Sequence, residues 1–333
     1  MSTIGIARIV VTGGAGFIGS NLCEDLLERG NQVICLDDFS TGKEANVAYL
    51  KAHKNFVLIK GDIRDMDCCL RATKGVDYVL HQAALGSVPR SVEDPVTSND
   101  INISGFLNML VASLDAKVKR FVYASSSAVY GDAAELPKQE DKIGKPLSPY
   151  AITKAVNEAY ARVFSELYGL ETVGLRYFNV FGKRQDPNGP YAAVIPRFIQ
   201  SLIEKRAPTI YGDGTQSRDF TYVKDVVQAN FLAMSCKLTE KSEVFNIACG
   251  KQTTLNRLYS IIVRLVQNYH PDVSKISPIY GPERKGDIKH SLASIEKARS
   301  LMGFVPEYDV EKGLRESIDW YWEHLGAGVK KAA

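Results

Sequence analysis

The chain has 333 residues, 45% of them apolar and 24% charged, with a net charge of +3. That length allows one large α/β unit or two domains around a substantial core. The charge is too small for a nucleic-acid-binding surface, no apolar run reaches membrane-spanning length, and "MSTIGIARIVVTGG" is not a signal peptide.

The six cysteines (Cys23, Cys35, Cys68, Cys69, Cys236, Cys249) form neither a CxxC pair nor a zinc-type spacing, so a reduced cytoplasmic protein without a metal site is expected. In chain order, "ARIVVTG" predicts a first strand and a helix follows through Arg29. "NQVICLDD" is a second strand, with a helical stretch near "EANVAYLKAH". "NFVLIKGD" and "VDYVLHQAA" are the third and fourth strands. A long helix is expected over Thr97 to Leu114. "VKRFVYASS" is the fifth strand, the helix carrying Tyr150 follows, and "ETVGLRYFN" is the sixth. Near-continuous apolar strands alternating with helices predict an α/β fold, a Rossmann-type doubly wound parallel sheet. After the Gly/Pro-rich "FNVFGKRQDPNGPYAAVIP" the elements shorten. A helix is expected from about Lys224, another from about Thr254 and a last one through about His324. Residues 1–185 are therefore read as a dinucleotide-binding domain to which some later segments return. Residues 186–326 are read as a smaller C-terminal α/β substrate subdomain, and 327–333 as a tail.

Two local patterns carry chemistry. "VTGGAGFIGSNL" places Gly13, Gly14, Gly16 and Gly19 between a strand and a helix, where backbone can approach a diphosphate and the helix N-terminus offers free N–H groups. Asp37 lies 18 positions after Gly19, where an acid hydrogen-bonds the adenosine ribose and repels a 2′-phosphate; NAD rather than NADP is expected. Asp38 suits a solvated loop as well as a cofactor contact, and Asp62 suits either a turn cap or a contact to the adenine amino group. The second pattern is "SPYAITK", where Tyr150 and Lys154 share one helical face. Ser125, Ser126 and Ser127 end the fifth strand, where an open α/β sheet binds its ligands. Polar capping of the strand end suffices for Ser125.

Together with "HQAA", Asn102-x-x-Gly105, "LRYFNVFG", "GDGTQSRDFTYVKDV" and "ERKGD", these patterns resemble the extended short-chain dehydrogenase/reductases over nearly the whole chain. The resemblance implies that Tyr150 is the acid/base, that Lys154 and the cationic nicotinamide together lower its pKa, that Lys154 holds the nicotinamide ribose, and that Ser126, or next Ser127, hydrogen-bonds the reacting hydroxyl. It implies NAD contacts from Gly13, Gly16, Phe17, Ile18, Gly19, Asp37, Asp38, Asp62, Ile63, Gln82, Asn102 and Tyr177. Asn102 is equally a structural residue, and Tyr177 equally a core aromatic. His81 is expected to be packed rather than catalytic.

Sugar 4,6-dehydratases carry Thr-Asp-Glu where this chain has Ser127 and Ala128, and the glutamate of the decarboxylases is missing too. What remains resembles the UDP-hexose 4-epimerases. Gly86 in "LGSVPRS" replaces a lysine of many galactose-type enzymes, a departure shared with a subgroup acting on N-acetylated UDP-hexosamines. The resemblance implies UDP-sugar contacts from Ser87, Ser126, Ser127, Asn179, Ala193, Val194, Arg218, Arg284, Asp287 and Ser291. By the same resemblance Ser291, four residues past Asp287, faces the sugar C2 substituent, where enzymes restricted to plain hexoses carry a tyrosine and those that accept N-acetylated sugars a small residue; each arginine also suits a surface salt bridge, and Ser291 also suits an N-cap for "LASIEKARSL". By the same analogy the helices near 97–114 and 148–169 pair in a homodimer.

Overall fold

The apolar runs of the first half form one parallel sheet. In the computed structural model, which describes residues 5–188, 192–283 and 288–326, its strands are β1 (Arg8–Thr12), β2 (Gln32–Asp37), β3 (Phe56–Lys60), β4 (Tyr78–His81), β5 (Arg120–Ser126), β6 (Thr172–Tyr177) and β7 (Ser242–Ile247). The order across the sheet is β7-β6-β5-β4-β1-β2-β3. The direction of winding reverses between β1 and β4, where Val11 lies between Cys35 of β2 and Leu80 of β4. Such a reversal opens a crevice at the carboxyl ends of the strands.

Period-two alternation sends successive side chains to opposite faces. Ile9 and Val11 belong to one apolar core with Leu22, Leu26 and Val226. Val10 belongs to the other, with Cys69, Phe106 and Met109. The helices are α1 (Phe17–Glu28), α2 (Met66–Thr73), α3 (Val88–Glu93), α4 (Pro95–Asn99), α5 (Gly105–Asp115), α6 (Pro149–Tyr168), α7 (Val194–Ile203), α8 (Val223–Ser235), α9 (Leu255–Val266) and α10 (Val310–Gly326). A separate cluster joins α7, α9 and α10 through Phe198, Leu202, Leu258, Ile262, Leu314 and Tyr321. β7 and α8 come from the second half of the chain, yet β7 pairs with β6 from Ser242↔Thr172 to Ile247↔Tyr177, and α8 packs on α1.

Three local expectations change. The stretch 44–53 forms two 3₁₀ turns, Glu44–Asn46 and Ala48–Ala52, instead of an α-helix. The Lys43 N–H and the Asn46 side-chain amide both donate to the Ala15 carbonyl, which ties this stretch to the glycine turn. The helix expected over 97–114 contains a π-turn at Asp100–Ser104. There the Asn102 carbonyl accepts from the Asn157 side chain at 2.7 Å, a bond outside the helical ladder. Ser291 is not an N-cap: its N–H donates to the Ser217 carbonyl in extended chain, and the next helix begins only at Glu296. Arg284, Asp287 and the tail 327–333 lie outside the described residues.

Candidate active site

β1 delivers the chain into the glycine turn, and the geometry there tolerates no side chain. Gly13 has φ +64, and a Cβ on it would lie 2.8 Å from the Ala83 backbone; a Cβ on Gly19 would lie 2.1 Å from the Gly13 carbonyl oxygen. The turn forms one wall of a cavity of about 750 Å³ that runs to the ends of β5 and β6. Gly13, Gly16, Phe17, Ile18, Gly19, Asp37, Asp38, Asp62, Ile63, Gln82, Ser126, Tyr150, Lys154, Tyr177 and Asn179 all line it.

Asp37 Oδ2 accepts the Ala15 N–H and Oδ1 the Phe39 N–H, both at 2.8 Å. A carboxylate has about four acceptor sites, so capacity remains for ribose hydroxyls. Burial pushes the Asp37 carboxyl up, and the two N–H groups oppose it. Asp38 accepts from the Ser40 N–H and hydroxyl. Asp62 both caps its turn through the Arg64 N–H and pairs with the Arg64 guanidinium at 2.6 Å, which holds its carboxyl below the usual range.

At the other end, Ser148 caps α6 by accepting from the Ala151 N–H, Pro149 occupies the first turn, and Gly169 closes the helix in the left-handed region. Tyr150 is thereby fixed at the helix start, its N–H donating to Ser91 Oγ at 3.0 Å. Lys154 is fully buried one turn on, with Nζ 5.9 Å from the Tyr150 ring centroid and donating to the Ala124 carbonyl at 2.8 Å. Burial pushes the Lys154 ammonium down to about 8 against the pull of Glu158. Burial likewise pushes the Tyr150 phenol up, and a hydrogen bond with Ser126 recovers part of that. The sequence led to the expectation of a lowered phenol. That expectation counts a bound nicotinamide together with the ammonium; in the protein alone burial is the larger effect. Beneath the site, the Tyr177 hydroxyl donates to Gln82 Oε1 at 3.1 Å and accepts from Asn230 Nδ2 at 2.8 Å. His81 is packed: its Nδ1 meets Thr12 Oγ1 at 2.9 Å, and burial pushes its pKa to about 3.

Several named residues stand off the cavity. Asn102 spends its amide on both backbone groups of Leu85 and on Thr153 Oγ1, holding the 83–86 loop against α6. Ser87 caps α3 through the Arg90 N–H. Ser127 opens a 3₁₀ turn past the strand end, so of the two serines only Ser126 faces the cavity.

A second cavity of about 290 Å³ is lined by Asn179, Ala193, Val194, Arg218 and Phe220 among others, and shares Asn179, Val180 and Gln185 with the first. Ser291 lines neither; it sits beside Ser217, next to Arg218. Gln185 was not singled out from the sequence. Its Nε2 donates to the Val180 carbonyl at 2.9 Å, while its buried Oε1 has no hydrogen-bond partner among the described residues. No periodicity marks such a residue; only its place on the shared wall does.

A glycine cradle, an acid at the end of β2 and a Tyr-Lys pair at the end of one crevice define an NAD-dependent enzyme of the extended short-chain dehydrogenase/reductase class. The chain belongs to the NAD-dependent epimerase/dehydratase family, whose pattern matches residues 9–248. It is similar to the UDP-N-acetylglucosamine 4-epimerase from Methanobrevibacter ruminantium M1 solved with UDP-N-acetylmuramic acid: 44% identity, TM-score 0.90, covering 96% of this chain and 99% of that one. It is 34% identical over 316 residues to the UDP-glucose 4-epimerase of Mycolicibacterium smegmatis, covering 94% of this chain and 98% of the relative. The UDP-glucuronic acid 4-epimerase from Bacillus cereus, solved with UDP-glucuronic acid and NAD, shares 31% identity at TM-score 0.85, covering 95% of this chain and 99% of that one. Among the described residues no helix is long and apolar enough to cross a membrane, and no group of three His, Cys, Asp or Glu could hold a metal ion.

Proposed function

We propose that this protein is a UDP-sugar 4-epimerase acting on UDP-N-acetylglucosamine and UDP-N-acetylgalactosamine. One observation carries the reading. Tyr150, Lys154 and Ser126 line one long cavity, which shares Asn179, Val180 and Gln185 with a second, and the carboxylates that line the long cavity (Asp37, Asp38, Asp62 and Asp186) all lie on other elements. Elimination of water needs an additional acid and base beside the sugar. Inversion at C4 needs one group that takes a hydroxyl proton and gives it back.

The walls fit NAD. The glycine turn and the N-terminus of α1 would hold the diphosphate, Asp37 the adenosine ribose, and Lys154 the nicotinamide ribose. When bound, NAD would supply a reversible hydride acceptor for the sugar C4. Tyr150, as phenolate, accepts the C4 hydroxyl proton while Ser126 hydrogen-bonds the same oxygen, and it reprotonates that oxygen as the hydride returns. Lys154 supplies the positive charge that favours the phenolate. Asn179, Ala193, Val194, Arg218 and, outside the described residues, Arg284 and Asp287 would hold the UDP moiety, with residues 186–326 as the substrate subdomain. Gln185, whose buried acceptor on the shared wall is unpaired among the described residues, would accept from a hydroxyl of a bound ligand.

Gly86 supports the acetylated substrates. It lies on the cavity wall, and a Cβ there would meet nothing within 4 Å, so the wall leaves room for an added substituent. We further read the exposed Val92, Val96, Ile152, Val163 and Leu167 along α3, α4 and α6 as a homodimer face. The test is incubation of the purified protein, without added NAD, with UDP-N-acetylglucosamine, UDP-glucose and UDP-glucuronate separately, followed by NMR of the products. Interconversion is expected with the highest kcat/KM for the acetylated pair. Preferential turnover of UDP-glucuronate or UDP-glucose would overturn the substrate assignment, and a dehydrated or decarboxylated product would overturn the reaction.

A further inference from the structure

The segment after Phe181 crosses from the sheet to the subdomain, and its first residues are fastened to α1 and to the loop after β2. Glu24 of α1 accepts from Lys183 Nζ and from Arg184 Nη2, each at 2.5 Å, on one carboxylate oxygen, and from the Tyr49 hydroxyl at 2.7 Å on the other. Asn21 Nδ2 donates to the Lys183 carbonyl at 3.1 Å, and the Tyr321 hydroxyl donates to the Gly182 carbonyl at 2.8 Å. Arg184 has φ +72, a left-handed backbone that a long side chain adopts only when its surroundings impose it. The root of the segment is therefore buried and held by several bonds; the Arg184 side chain is 7% exposed.

Among the described residues beyond that root, Asp186 links the segment to the opposite bank. Asp186 Oδ2 pairs with Lys43 Nζ at 2.5 Å, with side chains 39% and 53% exposed. Both residues line the long cavity, as do Arg184, Gln185 and Asn188 on one bank and Asp37, Asp38, Ser40 and Thr41 on the other. Lys43 is itself anchored to the glycine turn through its N–H on the Ala15 carbonyl at 3.1 Å. Asp186 Oδ1 is set by the N–H and the side-chain amide of Asn188, each at 3.0 Å. The ion pair thus joins the two banks of the cavity where the acid that would hold the adenosine ribose lies.

We propose that Lys43 and Asp186 form an ion-pair latch that retains the cofactor, with the Glu24-anchored root as its fixed end. The inference rests on the epimerase reading for its purpose. An enzyme that takes and returns a hydride within one turnover gains nothing from exchanging its cofactor and loses the reaction if reduced cofactor escapes. An exposed pair is screened by salt and contributes about 1 kcal/mol or less. The latch therefore tunes the rate of cofactor release without carrying the binding energy.

The test is release of NAD from the loaded protein, followed after dilution into an NAD-consuming enzyme, at low salt and at about 1 M salt, for the wild type, Asp186→Asn, Lys43→Met and the double variant. Asparagine keeps an oxygen for the Asn188 donors and removes the charge. Each single variant should release NAD about 2–5-fold faster at low salt. The double variant should be no faster than either single one. The differences should fade at high salt. Wild-type release rates in both single variants, effects that multiply in the double variant, or an acceleration that persists at high salt would each overturn the latch. Release is measured without any sugar, so absent epimerisation would remove the functional reading and leave these rates to judge the latch.

Discussion

Lys154 is held where a charge is expensive, and Lys154→Met makes that cost measurable. Burial moves its pKa from 10.5 to about 8. At ~1.4 kcal/mol per pKa unit this is about 3 kcal/mol against the folded protein wherever the ammonium is charged. Methionine removes the charge and keeps an apolar body of similar length. It also forfeits the Nζ bond to the Ala124 carbonyl, worth about 1 kcal/mol. The variant should therefore be more stable than the wild type by about 2 kcal/mol at pH 7. A base whose folded-state pKa is depressed binds its proton more weakly when folded. The penalty is complete below pH 8 and shrinks as pH rises from 8 towards 10.5, where only the unfolded chain still holds the proton. By about pH 9.5 the wild type should recover about 2 kcal/mol, and the difference between the two proteins should close. Urea denaturation of both proteins, stripped of cofactor, at the two pH values is the assay. A methionine variant less stable at pH 7, or a gap unchanged at pH 9.5, would refute the account of Lys154 as a buried charge kept for function. The same variant should lose turnover and hold NAD less tightly.

Three further outcomes follow from the site. Tyr150→Phe should fold and retain NAD while turnover falls by at least ~10²-fold in a product assay; near-normal turnover would remove Tyr150 from the chemistry. Gly19→Ala drives a methyl group to within 2.1 Å of the Gly13 carbonyl oxygen, so NAD recovered after denaturing the purified protein should fall well below that of the wild type. Ser291→Tyr should abolish activity on UDP-N-acetylgalactosamine while sparing UDP-galactose, read as kcat/KM for each; full activity on the acetylated sugar would place the substrate gate elsewhere.

What the sequence determined by itself is local. The turn at Gly13–Gly19, the acid at the end of β2 and the Tyr150–Lys154 pair each need only a few consecutive residues, because strand ends, helix starts and the i,i+4 spacing are set by the backbone's own geometry. The alternation of apolar strands and helices likewise led to the parallel sheet. Tertiary structure decided whatever depends on which distant segments meet. Ser126 and Ser127 are adjacent and chemically alike, and only the turn beginning at Ser127 separates the one facing the cavity from the one that does not. Ser291 reads as a helix cap until the fold bonds its N–H to the distant Ser217 carbonyl and starts the next helix only at Glu296. Lys183 reaches Glu24 across 159 residues, and Gln185 acquires its acceptor, unpaired among the described residues, only where two cavities share a wall. A sequence encodes such contacts only through the folding of everything between them.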